Sequence, residues 1–170
     1  MFTFLKSTRT AIGKSKVEDD KLELAKNLLK NAGEKIALPI DVLVAEKIEP
    51  GAKTKEVNVD DISKDMSGVD IGSDKIKVYK DIIAEAKTII WNGPMGVFEM
   101  ENFAAGTIKV AEAVVAATEN GAFSLIGGGD SAAAVNTLGY GDKVSYVSTG
   151  GGALLEYMEG KILPGVAALD

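Results

Sequence analysis

The chain has 170 residues, of which 46% are hydrophobic and 26% charged, and its formal net charge is −6 at pH 7. This composition predicts one soluble folded domain, and the negative charge argues against nucleic acid or an anionic membrane as the main partner. Cysteine and histidine are absent, which excludes disulfides, thiolate chemistry and imidazole metal ligands. No apolar segment approaches the length of a membrane span, so we expect a cytoplasmic protein.

The first half of the chain is predicted to contain two helices and two strands. Apolar residues spaced three and four apart predict a helix from about Val17 to Ala32. The nearly continuous apolar run Ile36–Ala45 predicts a buried parallel strand, and the alternating segment Gly51–Ser63 predicts a short edge strand. A second helix is predicted over Lys75–Lys87, with Ser73 as its N-cap.

The second half is predicted to contain three successive strand–turn–helix units. They are Thr88–Glu119, in which Asn102 is the predicted N-cap of the helix, Phe123–Leu138 and Lys143–Glu159. Strands that alternate with helices predict an α/β fold, with a parallel sheet covered by helices on both faces. Ligands bind at the carboxyl ends of the strands in such sheets, so the turns after these strands are expected to line one crevice.

The turn Gly127–Ser131 lies between the strand of the second unit and its helix. Three glycines without a Cβ let a ligand approach the backbone N–H groups at a helix N-terminus, where an anion is favoured. Asp130 would repel a bare phosphate, so the motif indicates a polyphosphate bound through a divalent cation. The alternative is a tight turn in which Asp130 or Ser131 acts as an ordinary N-cap.

Three motifs in this order resemble the carboxyl-terminal, nucleotide-binding domain of the phosphoglycerate kinase family. The motifs are Trp91–Glu99, Ile126–Ala134 and Ser148–Ala153. Shorter matches to the same family occur at Phe2–Lys6, Leu38–Asp41, Gly68–Gly72 and Leu163–Ala167. The resemblance covers essentially the whole chain and implies a three-layer Rossmann-like parallel sheet with helices on both faces.

The resemblance implies reversible phosphoryl transfer in glycolysis, between MgATP and 3-phosphoglycerate on one side and MgADP and 1,3-bisphosphoglycerate on the other. It assigns Asp130 to the magnesium ion (Mg2+) of ATP or ADP. It assigns Gly128, Gly129 and Ser131 to the nucleotide phosphates at the start of a helix. Such an arrangement catalyses transfer by positioning and electrostatics rather than through a covalent intermediate.

The remaining site residues are also assigned by the resemblance. Glu99 would accept hydrogen bonds from the ribose hydroxyls, Asn92 would lie beside the terminal phosphates, and Gly72 would allow the base to approach closely. The catalytic residues would be Gly128, Gly151 and Gly152, and Gly150, Gly151 and Gly152 would offer backbone N–H groups toward the migrating phosphoryl group. Taken alone, Asn92 is also an ordinary turn former, and Glu99 an ordinary exposed carboxylate.

Members of this family are longer than this chain and have two domains. We therefore expect residues 1–170 to be an incomplete nucleotide-binding domain that lacks its leading strands, with the amino-terminal triose-phosphate domain absent. Adenine nucleotide is the expected partner, and 3-phosphoglycerate would bind only with the missing domain. Full-length members are usually monomeric. Two alternatives remain, a nucleotide-binding fragment without turnover and a purely structural or interaction domain.

Overall fold

The computed structural model describes residues 1–148, 150 and 152–169. The helices within these residues are α1 (Phe2–Ser7), α2 (Leu22–Ala32), α3 (Ser73–Glu85), α4 (Ala105–Glu119), α5 (Gly129–Thr137), α6 (Gly152–Met158) and α7 (Pro164–Ala167). The strands are β1 (Asp41–Ala45), β2 (Thr54–Asn58), β3 (Ser67–Ile71), β4 (Thr88–Asn92), β5 (Phe123–Gly127) and β6 (Tyr146–Val147). The chain divides into two compact units, the first made of Met1–Tyr79 and Met95–Gly106, the second of Lys80–Pro94 and the residues from Thr107 onward.

The first unit contains a three-stranded sheet with the order β2-β1-β3. The predicted buried strand is β1, and the predicted edge strand is β2, so both predictions are confirmed. Val42 and Val44 of β1 pack with Ile62 on one face of the sheet, whereas Ala45 packs with Val69 and Phe103 on the other. Burial on both faces explains why the run is continuously apolar.

The direction of β1 differs from the prediction, because it pairs antiparallel with both β2 and β3. An apolar run indicates that both faces of a strand are covered, and it carries no information about the direction of the neighbouring strands. The expectation of a parallel strand was therefore wrong for β1, although the expectation of burial was right.

A carboxylate from β1 caps the first turn of helix α3. The Asp41 side chain accepts the N–H groups of Asp74 and Lys75, each at 2.8 Å. The Ser73 hydroxyl instead donates to the Glu56 carboxylate at 2.6 Å. The prediction that Ser73 is the N-cap was therefore wrong, because a buried carboxylate that is distant in sequence supplies the acceptor for the first turn.

A carboxylate from a strand also caps the start of helix α4. The Asp70 side chain, near the end of β3, accepts the Gly106 N–H at 2.6 Å. The Asn102 side-chain amide instead donates to the carbonyls of Glu49, at 3.5 Å, and Ala52, at 3.4 Å. Asn102 is therefore not the N-cap, contrary to the prediction.

The second unit contains the predicted parallel sheet, with the strand order β4-β5-β6. Strand β5 is central and pairs parallel with both neighbours. One face of α4 is buried, since Val110, Val114 and Ala117 are all less than 5% exposed. This sheet with its helices confirms the predicted α/β class. In the described part of the chain, no helix combines the length and the apolar composition that crossing a bilayer requires.

Candidate functional site

The turns after β4 and β5 lie next to each other in the second unit. Asn92 at the end of β4 is paired with Gly127 at the end of β5. A Cβ built on Gly128 would lie 2.5 Å from the Asn92 Oδ1 atom, and a Cβ built on Gly127 would lie 3.5 Å from it. The Asn92 side chain therefore packs across the glycine turn. The expected convergence of these two turns is confirmed, and position 128 needs glycine to make room for the amide, whereas a Cβ at position 127 would make only an ordinary contact with it.

Helix α5 starts directly after this turn, and its N-cap is Gly128 with φ 84°. A positive φ is favourable for glycine and costly for residues with a Cβ. The N-cap position is occupied by this glycine, so neither Asp130 nor Ser131 is the N-cap that the alternative interpretation required. A Cβ on Gly129 would meet nothing within 4 Å. The helix start is thus open, with Asp130 exposed in its first turn.

Ser131 is fully buried, with 0% exposure. Its Oγ atom accepts the Gly93 N–H at 2.6 Å, and the Trp91 indole N–H donates to the Gly93 carbonyl at 2.7 Å. Ser131 and Trp91 therefore fix the turn after β4 against the start of α5. The sequence does not reveal this linkage, because the partners lie 38 residues apart. The assignment of Ser131 to the phosphates stays a prediction.

The third glycine turn precedes α6, which packs on the end of β5. A Cβ on Gly127 would lie 2.5 Å from the Leu154 Cδ2 atom, whereas a Cβ on Gly152 would meet nothing within 4 Å. The Gly150 N–H donates to the Ser148 hydroxyl at 3.3 Å. Gly151, which the resemblance makes a catalytic residue, lies outside the described residues.

Two of the predicted site residues, Glu99 and Gly72, belong to the first unit. Glu99 is exposed on the segment that joins β4 to α4. Gly72 is buried, and the space that its Cβ would occupy is filled by the Asp41 carboxylate. This packing by itself requires glycine. The assignment of Gly72 to the nucleotide base stays a prediction.

Asp70 is a buried carboxylate that sequence reasoning did not select, with 3% of its surface exposed. Burial raises the pKa of its carboxyl group from 3.8 to about 6, while hydrogen bonds from the Gly106 and Ile71 N–H groups act in the opposite direction. A signal was present in the sequence, since a lone aspartate between Val69 and Ile71 is unusual in a buried strand. Asp70 therefore needs a structural or functional explanation.

The second unit can accommodate a magnesium-bound phosphate group. The described residues contain no cluster of three or more potential metal-ligating side chains. Mg²⁺ in kinase sites is usually held by one or two carboxylates together with phosphate oxygens and water. The exposed carboxylate of Asp130 matches that requirement, and the open helix start beside Gly129 suits phosphate oxygens.

Comparisons with known proteins relate the whole chain to one family. The family model described as phosphoglycerate kinase matches residues 1–161. The phosphoglycerate kinase of Chloroherpeton thalassium is 55% identical over 173 residues, which cover 100% of this chain and 44% of that protein. The enzyme of that name from Thermosipho africanus is 53% identical, over 99% of this chain and 43% of that protein.

Solved structures show the same relationship. A phosphoglycerate kinase from Coxiella burnetii superposes with a TM-score of 0.92 at 43% identity, over 98% of this chain and 43% of that one. The phosphoglycerate kinase from Pyrococcus horikoshii superposes with a TM-score of 0.81 at 29% identity. The chain thus spans less than half the length of the curated relatives and solved structures that it matches.

Proposed function

We propose, from the premise that this chain belongs to the phosphoglycerate kinase family, that it supplies the MgATP/MgADP site of a phosphotransferase. The complete protein would transfer a phosphoryl group reversibly between ATP and 3-phosphoglycerate, a step of glycolysis in the cytoplasm. The chain spans 44% of the Chloroherpeton relative. We therefore assign the transfer to the complete protein, with a triose-phosphate domain outside residues 1–170.

The open start of α5 is the observation that carries this proposal. Gly128 at φ 84° and the open space beside Gly129 leave room for a phosphate at the positive end of the helix. We propose that Gly128, Gly129 and Ser131 contact the phosphates and that Asp130 holds the Mg²⁺. The metal supplies charge neutralisation for the phosphate oxygens.

The other residues act on the nucleotide or on the group in transfer. We propose that Asn92 lies beside the terminal phosphates, because its amide packs across the Gly128 turn. Glu99 accepts hydrogen bonds from the ribose hydroxyls, and Gly72 lies by the base. Gly128, Gly151 and Gly152 are the proposed catalytic residues, whose role is to offset negative charge that develops on the migrating phosphoryl group.

A second candidate function is nucleotide binding without turnover, in a fragment or an interaction module. The short coverage of the relatives favours it. Phosphoryl transfer requires both reactants to be held in one geometry, and binding one of them does not orient the other. The two candidates share the nucleotide site and differ only in turnover.

Calorimetric titration of the 170-residue chain with MgADP tests the shared part. We expect saturable binding of one nucleotide per chain, which is lost when EDTA removes the metal. Circular dichroism of the same sample confirms that the protein is folded. A folded chain that gives no saturable heat with MgADP would contradict both candidates.

A further inference from the structure

Asp70 joins β3 to the start of α4 through one buried carboxylate. Its Oδ1 atom accepts the Ile71 N–H at 2.8 Å, and its Oδ2 atom accepts the Gly106 N–H at 2.6 Å. Burying a carboxylate is costly unless hydrogen bonds compensate for the lost water. An apolar residue would fill the same space without that cost, so the two hydrogen bonds are the reason to keep an aspartate here.

Two glycines, one near each end of the segment Met95–Gly106, pack directly against Asp70. A Cβ on Gly96 would lie 2.6 Å from Asp70 Oδ1 and 2.8 Å from Asp70 Cα, and a Cβ on Gly106 would also strike Oδ1. Next to Gly96, the Val97 N–H donates to the Val69 carbonyl at 2.9 Å. Both ends of the segment are therefore held against β3 at Asp70, at distances that only glycine permits.

Glu99 lies in sequence between Gly96 and Gly106, the two glycines that pack against Asp70. Its neighbours Val97 and Met100 pack against the cluster of Ala45, Val69 and Phe103, whereas the Glu99 side chain is exposed. The backbone on both sides of Glu99 is therefore fixed by burial, and its carboxylate remains available to a ligand.

We propose that Asp70 is a positioning residue, which holds the segment Met95–Gly106 so that Glu99 presents its carboxylate to the ribose hydroxyls of the nucleotide. This inference rests on the proposed function, from which the contact between Glu99 and ribose is taken. The inference assigns a role to Asp70 in the motif Gly68–Gly72, which resembles a family signature and in which only Gly72 otherwise has an assigned role.

The test compares the affinities of the 170-residue chain for MgADP and for magnesium 2′,3′-dideoxy-ADP, which lacks the ribose hydroxyls. Hydrogen bonds to a charged group distinguish such ligands by about tenfold or more. We expect the wild-type chain to prefer ADP by about that factor. In Asp70→Asn one oxygen becomes an NH₂ group, so one backbone N–H loses its acceptor. We expect this variant to lose most of the ADP preference while its affinity for the dideoxy nucleotide changes less than about twofold.

Two further variants distinguish positioning from general damage. Glu99→Gln should reduce the ADP preference as Asp70→Asn does. Asp41→Asn is the matched control, because Asp41 is also a buried aspartate that accepts two backbone N–H groups at a helix start. We expect it to retain the preference. If Asp70→Asn does not fold, Gly106→Ala replaces it, since its Cβ displaces the Asp70 carboxylate, and the same loss is expected.

Each contrary outcome has a distinct meaning. Equal weakening of both nucleotides in Asp70→Asn, with the ADP preference intact, would overturn the positioning role. Loss of the preference in Asp41→Asn as well would do the same, because the effect would then be general. A wild-type chain that binds both nucleotides equally would remove the Glu99 contact and this inference while MgADP binding stands. Failure to bind MgADP at all would overturn the proposed function and this inference together.

Discussion

Three aspartates stand at helix starts, and their exposure separates their roles. Asp41 and Asp70 are buried, and each caps a helix that begins more than 30 residues later in the chain: Asp41 accepts two backbone N–H groups of that helix, and Asp70 accepts one. Asp130 lies exposed within the first turn of its own helix. A buried carboxylate whose oxygens accept protein N–H groups fixes the start of a helix, whereas an exposed one can hold a metal ion. The glycine turn made Asp130 recognisable in the sequence, but nothing local identified the partners of the other two.

Replacement of Asp130 by asparagine tests the proposed metal contact. Asparagine keeps the size of the side chain and removes its charge, so we expect Mg²⁺-dependent ADP affinity to fall about tenfold or more. Affinity measured in EDTA should change much less. Asp142→Asn, another exposed aspartate of the second unit, serves as the control. An unchanged magnesium dependence in Asp130→Asn would remove the assignment.

The raised pKa of Asp70 predicts a specific dependence of stability on pH. Its folded pKa of about 6 exceeds the ordinary value of 3.8, so between these values the folded state binds more protons than the unfolded state. Ionisation of Asp70 therefore lowers the free energy of unfolding as pH rises across that window, by at most about 1.4 kcal/mol per pH unit. Urea unfolding at several pH values would measure the slope in the wild type and in Asp70→Asn. The variant should lack this contribution, and identical slopes would contradict the prediction.

Among the secondary-structure elements, long amphipathic helices were predictable and their ends were not. Apolar residues at helical spacing located α2 and α4, because burial of one face imposes that period. The predicted start of α2 at Val17 was too early, since Asp19–Lys21 forms a 3₁₀ helix and α2 begins at Leu22. Strand direction in the first unit and the caps of α3 and α4 depend on residues distant in sequence. Local patterns therefore could not determine them.

The turn before α5 provides a matched pair of glycine substitutions. Gly128→Ala must place a Cβ at φ 84° and 2.5 Å from Asn92 Oδ1, so we expect a loss of about 1–3 kcal/mol in the free energy of unfolding and weaker MgADP binding. Gly129→Ala lies in the helix with nothing within 4 Å of its Cβ and should stabilise the protein by up to about 1 kcal/mol. Urea unfolding measures both values. Equal effects at the two positions would contradict this account of the turn.

On the scale of the whole molecule, the family match spans both compact units, from residue 1 to residue 161. The site residues were predictable to the extent that they form short local motifs, as at Gly127–Ser131. The linkage of Ser131 to Gly93, and of Asp70 to Gly106, depends on packing between distant segments. These hydrogen bonds fix the positions of the motifs in the fold, and the sequence of a motif alone does not reveal them.

Turnover is the property that separates the two candidate functions. We expect the purified 170-residue chain to bind MgADP but to show no phosphoryl transfer from MgATP to 3-phosphoglycerate above background in a coupled assay. The chain spans 44% of the Chloroherpeton thalassium relative, and effective molarities of about 10⁵ M or more arise only when both reactants are held in register. That relative at full length provides the positive control under identical conditions. Transfer that increases in proportion to the concentration of the purified chain would show that residues 1–170 already hold both reactants, and the separate triose-phosphate domain would then be unnecessary for the reaction.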